Sequence, residues 1–121
     1  MKIISLWQPW ATFIELEWKT IETRMHKRFN KLNGQRIGIH AAMKWDNDWD
    51  ELVKDYLLFD EMAMIRQMQL ENKIPFGKII CAANVYAVGR LTSSDSKRAL
   101  IDCRHEYGRY GYLLDQIKSF Y

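Results

Sequence analysis

The chain has 121 residues, about one domain's worth, and its 18 Lys plus Arg against 15 Asp plus Glu give a formal charge of +3. That size excludes a multidomain machine. With 48% hydrophobic residues, 27% charged, 6 Gly and 2 Pro, the composition is that of a folded globular domain, able to bury a core without disulfides or a structural metal.

In chain order, Lys2 to Trp7 is a short β-prone run that Gln8-Pro9 ends, because proline cannot donate to a ladder. Pro9 suits the first turn of a helix, and the apolar positions 10, 11, 13, 14 and 18 recur at helical spacing, predicting a helix from Trp10 to Trp18. Thr20 to Arg24 alternates with a period of two and reads as a strand with Thr20, Glu22 and Arg24 on one face and Lys19 at its entry. A basic segment follows as a loop up to Asn33-Gly34, a strong turn signal, after which Arg36 to Ala42 is a strand that Gly38 would bend or weaken.

Asp46 or Asp48 is placed to cap a helix whose apolar positions continue towards Leu70, with a break near Asp60. Pro75-Phe76-Gly77 closes that region, and Lys78 to Leu91 is the longest β-like segment. Residues 92 to 96 read as a loop or helix cap, and the aromatic tail from Tyr107 supplies a final strand. About five strands interrupted by helices, with no repeating strand-helix unit, point to a mixed α/β fold built as a small barrel, a single domain over residues 1–121.

Several chemistries find no foothold. Cys81 and Cys103 are too far apart for a CxxC motif and read as reduced thiols. His26, His40 and His105 lack metal-ligand spacing, so no metal is expected, and no glycine-rich phosphate loop signals a nucleotide cofactor. His40 reads as a packed or cleft-lining residue, whereas His26 sits in the basic loop. No leader and no 18-residue apolar run is evident, giving the expectation of a cytoplasmic protein with no membrane contact.

Charge and tryptophan are unevenly placed. Between Lys19 and Lys44 seven basic residues face one acid, a local +6, whereas residues 46 to 72 carry eight acids against two basic residues, a local −6. A basic face of this kind suits phosphates, and the acidic helical region 46 to 72 is a candidate surface for a protein partner. All five Trp lie in the first 49 residues. Most are expected in a core of large aromatics, with Trp7 or Trp10 at the rim of a site where a ring can stack on a base. Tyr107, Tyr110 and Tyr112 could likewise stack on bases or pack the final strand, and Arg109 beside them is a candidate phosphate contact.

Ser5-Leu6-Trp7-Gln8-Pro9-Trp10-Ala11, then Lys19-Thr20-Ile21-Glu22-Thr23-Arg24, then Gly34 with Ile37-Gly38-Ile39-His40-Ala41, resemble the ASCH domain family. Pro75 to Ile80 and Gly108 to Ile117 resemble that family's later and closing strands, so the likeness runs the length of the chain. The resemblance implies a PUA-like fold, a small β-barrel with flanking helices, whose cleft joins the QPWA and KTIETR segments. It implies RNA or a modified nucleobase as ligand. The chemistry of the side chains makes Trp7, Gln8, Trp10, Thr20, Arg24, His40 and Arg109 candidate binding residues and Lys19 and Glu22 candidate catalytic residues.

Side-chain chemistry is compatible with those roles. Arg24 can fork onto a phosphate or onto Glu22, Gln8 can donate and accept at a base edge, and a buried Lys19 beside Glu22 can be tuned for proton transfer. The competing reading of the same three charges is a salt-bridge network that holds helix to strand. Some members of the resembled family are amidohydrolases that deacetylate N4-acetylcytidine with a Lys, a Thr three residues later and a distant Glu. Lys19 matches the lysine, but Glu22 stands where that threonine is expected, and Thr20 and Thr23 are only displaced substitutes.

Overall fold

The computed structural model describes residues 1–24 and 31–121. His26, Lys27 and Arg28 of the basic loop lie outside them. The chain runs β1 (Lys2–Gln8), α1 (Trp10–Glu15), β2 (Ile21–Arg24), β3 (Arg36–Trp45), α2 (Trp49–Val53), α3 (Phe59–Leu70), β4 (Lys78–Arg90), α4 (Ser96–Ala99) and β5 (Tyr110–Ser119).

The five strands form one sheet in the order β1-β3-β4-β5-β2. β1 runs parallel to β3, with Leu6 opposite Ala41, and every other pairing is antiparallel. The two edges are thus β1 and β2, the strands that carry the QPWA and KTIETR segments. In a flat sheet, strands spaced ~4.8 Å apart would hold those edges ~19 Å from each other. Here both edges line one cavity, so the sheet is curled into a half-barrel with helices at its margin.

Local chemistry sets the connections. Pro9 cannot extend the ladder, and its carbonyl accepts from Phe13 N at 3.0 Å to open α1. The helix is shorter than its apolar spacing predicts. It stops after Glu15 because Glu17 adopts a left-handed φ of 63°, and the amides of Trp18 and Lys19 both return to the Phe13 carbonyl at 3.0 Å. That reversal turns Lys19 inward. The acidic region also breaks earlier than expected, between Val53 and Phe59, where the Glu61 carboxylate accepts from Leu58 N at 2.8 Å and caps α3. β3 continues to Trp45 with a bulge at Ile39/His40 just past Gly38, whose missing side chain admits Ile79, Met1 and Ile3.

Two apolar clusters flank α1. Inside the curl, Ala11 and Ile14 pack on Ile37, Ile39, Val85, Tyr112 and Leu114. On the other side Phe13 joins Trp49, Val53, Leu57, Ile65 and Leu100, with Trp10, Trp18 and Trp45 at the margin. Ring centroids of Trp10, Trp18 and Trp49 lie 5.6 to 6.0 Å from that of Phe13. Four of the five tryptophans therefore build this cluster, and Trp7 alone stands outside it, 49% exposed. Among the described residues no helix is long and apolar enough to cross a membrane.

Candidate nucleobase site

A cavity of about 500 Å³ opens between the two edge strands. Ser5, Leu6 and Trp7 of β1 form one wall, and Glu22, Thr23 and Arg24 of β2 the other. Trp10 and Lys19 come from either end of the α1 turn, and Asp46, Leu52 and Ile101 complete the lining.

Lys19 is the most constrained of these. Its side chain is almost wholly buried, and Nζ donates to the Ala99 carbonyl at 2.5 Å, an oxygen left unpaired at the end of α4. The same Nζ lies 3.7 Å from Glu22 Oε1 and 5.5 Å from the centre of the Trp10 ring. Burial pulls the Lys19 pKa below its ordinary value, against the pull of the Glu22 carboxylate in the other direction. Glu22 is itself buried, and its second oxygen accepts from the Arg24 guanidinium, which also lies 5.9 Å from the Tyr112 ring. Lys19, Glu22 and Arg24 are thus one linked chain of charges, almost wholly buried at its Lys19 end.

Asp46 closes the site from the opposite side. Its carboxylate accepts from the Trp10 indole at 2.9 Å, fixing that ring at the cavity wall. The described lining therefore carries two cations, Lys19 and Arg24, and two carboxylates, Glu22 and Asp46. It is polar without a net charge, although its β2 wall belongs to the basic segment. Trp7 stands at the rim with Lys44 Nζ 5.0 Å from the ring centre.

Of the residues singled out in sequence, Trp7, Trp10, Lys19, Glu22 and Arg24 converge on this cavity. Four others do not line it. Gln8 is fully buried, with its amide nitrogen donating to the Pro75 carbonyl at 2.8 Å and its amide oxygen accepting from Thr12 N at 2.9 Å, so both ends hold the frame. Thr20 precedes β2 instead of belonging to it, and its hydroxyl accepts from Arg98 Nε at 3.2 Å. His40 Nδ1 is hydrogen-bonded to Ser5 Oγ at 3.0 Å from the neighbouring strand. Arg109 donates to the Asp102 carbonyl at 2.8 Å and stacks 5.0 Å from the Tyr107 ring.

The sequence pattern places Asp46 and Leu52 in an acidic, solvated helical region. Nothing local announces the cavity there, because the bond that places Asp46 reaches a tryptophan 36 positions away. Ser5, Leu6 and Thr23 do fall inside the two recognisable segments. Among the described residues no group of three His, Cys, Asp or Glu is arranged to hold a metal ion.

The curled mixed sheet with its flanking helices matches the architecture of solved ASCH structures. The fold is similar to that of ASCH from Zymomonas mobilis, with a TM-score of 0.57 and 20% identity over 97% of this chain and 68% of that one. A serine-to-alanine variant of the same Zymomonas mobilis protein gives 0.55 at 18% identity over 97% and 68% of the two chains. A tyrosine-to-phenylalanine variant gives 0.53 at 17% over 97% and 70%. No family model and no curated protein matches the sequence.

Proposed function

We propose that the cavity binds a single nucleobase, presented by an unpaired stretch of RNA or as a modified nucleoside. The observation that carries this reading is the pairing of two carboxylates with two cations around two indoles in a space of about 500 Å³. A site whose described lining carries no net charge favours a neutral, planar ligand that donates and accepts in the same plane, and a volume in the ~300–1,000 Å³ range suits a small molecule. Trp7 offers a half-exposed face for stacking, and Glu22 or Asp46 can accept from an exocyclic amino group. The ASCH resemblance of the sequence implies the same ligand class, and the likeness in fold supports it.

The same cavity supports a second reading, an amidohydrolase acting on N4-acylated cytidine or a related small modified pyrimidine. Burial weakens the hold of Lys19 on its proton, and Glu22 lies 3.7 Å away, so a proton can pass between amine and carboxylate.

Calorimetric titration with cytidine, N4-acetylcytidine and a short single-stranded RNA tests the binding reading. Binding is expected, with about a tenfold loss in Trp7→Ala from the missing stacking contact. Absence of binding by all three at millimolar concentration would overturn it. Release of acetate from N4-acetylcytidine, abolished in Lys19→Met, establishes the hydrolase; binding without release rules that second reading out.

A further inference from the structure

We infer that the outward face of α3 is a docking surface for an amphipathic, cationic helix of a protein partner. α3 is apolar on two sides. Its one fully buried residue, Ile65, points into the aromatic cluster. At ~100° per residue, positions 59, 63, 66 and 70 fall within about 60° of each other, their centre about 130° round the helix from Ile65. That outer stripe holds Phe59, Ala63 and Leu70, with Phe59 81% and Leu70 79% exposed. A surface helix normally turns charges outward at these positions, so large apolar side chains there leave a face with no partner among the described residues.

Arg66, the charged member of the stripe, folds back instead of covering it. Its guanidinium lies 5.4 Å from the Trp49 ring and pairs with Asp50 at 3.3 Å. Lys54, the other cation of the region, pairs with Glu51 at 2.5 Å. Both positive charges of residues 46 to 72 are therefore engaged by α2, while Asp55 and Asp60 are exposed and make no ion pair among the described residues.

This charge selects the occupant. A second copy meeting the same face would bring the exposed acids Asp55 and Asp60 towards their own counterparts, and the phosphates of RNA would be repelled as well. A helix with a leucine seam bordered by lysine or arginine would bury Phe59 and Leu70 and meet Asp60, next to Phe59 on α3, at its rim. The stripe from Phe59 to Leu70 is ~16 Å long, three turns of a partner helix, so the contact is small and its affinity belongs in the micromolar range.

The test is fluorescence anisotropy with a labelled 18-residue leucine-lysine peptide of helical periodicity. A peptide of identical composition, scrambled to remove its apolar face, serves as reference. The proposal expects micromolar binding of the first and at least about tenfold weaker binding of the second. Phe59→Ser combined with Leu70→Ser should weaken the first about tenfold. Ala63→Lys, which keeps helix propensity and sets a cation in the middle of the stripe, should do the same. Both variants change only exposed side chains and should leave thermal unfolding and nucleoside binding at the cavity unchanged. Equal affinity for the two peptides, or no effect of either variant, overturns the proposal. So does concentration-dependent self-association that these substitutions abolish.

Discussion

Lys19 and Glu22 form a single buried pair that belongs both to the frame and to the lining of the cavity. Each is at most 5% exposed, so neither charge is tolerable without the other, and the Ala99 carbonyl supplies only part of what Lys19 needs. Glu22→Gln is expected to cost about 3 kcal/mol in urea unfolding, because it leaves a buried ammonium without its counter-ion. Adding Lys19→Met should recover most of that loss, since Arg24 reaches solvent and can lose its partner at little cost. Additive single effects would show that the two charges are not coupled. The same pair has a pH signature. The folded state holds the Lys19 proton less tightly than the unfolded chain, whose pKa is about 10.5. Below that value the unfolded chain therefore binds more protons, and the Lys19 contribution to stability rises as pH rises. Cys81 acts in the opposite sense, since burial pushes its thiol up to about 12, and its contribution is lost as pH climbs above 9.0. Unfolding of the wild type and of Lys19→Met, compared as pH rises towards 10.5, should diverge with the wild type gaining, and parallel curves would refute the assignment.

The elements are more legible in the sequence than their ends. Runs of β-branched and aromatic residues mark all five strands, since such side chains fit a pleated surface wherever it lies. The end of α1 and the gap between α2 and α3 are not legible, because long-range fit decides them. α1 stops where the chain must reverse to deliver Lys19 to the Ala99 carbonyl, 80 positions away. Site residues divide on the same line. Glu22 and Arg24 follow from the period of β2, whereas Gln8 has the chemistry of a base reader and is used to tie β1 to Pro75. β2 itself is short, four residues paired only to β5, and Gly111 is the point at which the fit is tightest. A Cβ there would lie 2.8 Å from Ile21 and 2.9 Å from Leu91, both buried. Gly111→Ala is expected to destabilise by ~1–3 kcal/mol and to weaken nucleoside binding by displacing the wall that carries Glu22. Gly89 stands opposite it on β4, where an added Cβ would meet nothing within 4 Å, so Gly89→Ala should be nearly neutral in both assays. Equal effects at the two glycines would show that Gly111 is not held by packing.

At the scale of the whole molecule, the formal charge of +3 is a sum of regions that act separately. Among the described residues the charges lining the cavity cancel, while the chain's net positive charge lies outside that lining. Nucleoside affinity should therefore change less than about twofold between 50 and 500 mM salt. A short single-stranded RNA should instead lose affinity with a log-log slope of roughly −0.7 to −1.4, one or two phosphates engaged beyond the base. A steep salt dependence for the free nucleoside would place net charge inside the site. The curl of the sheet adds a mechanical consequence. No strand pairing joins β1 to β2, so the gap between them is the accumulated result of four inter-strand twists and of the bulges at Leu6/Gln8, Ile39/His40, Ala82/Asn84 and Val85/Ala87. The cavity is the gap of a spring clip whose jaws are β1 and β2 and whose bow is β3, β4 and β5. Its aperture can be retuned by a substitution at any of these bulges, far from every atom that touches the ligand.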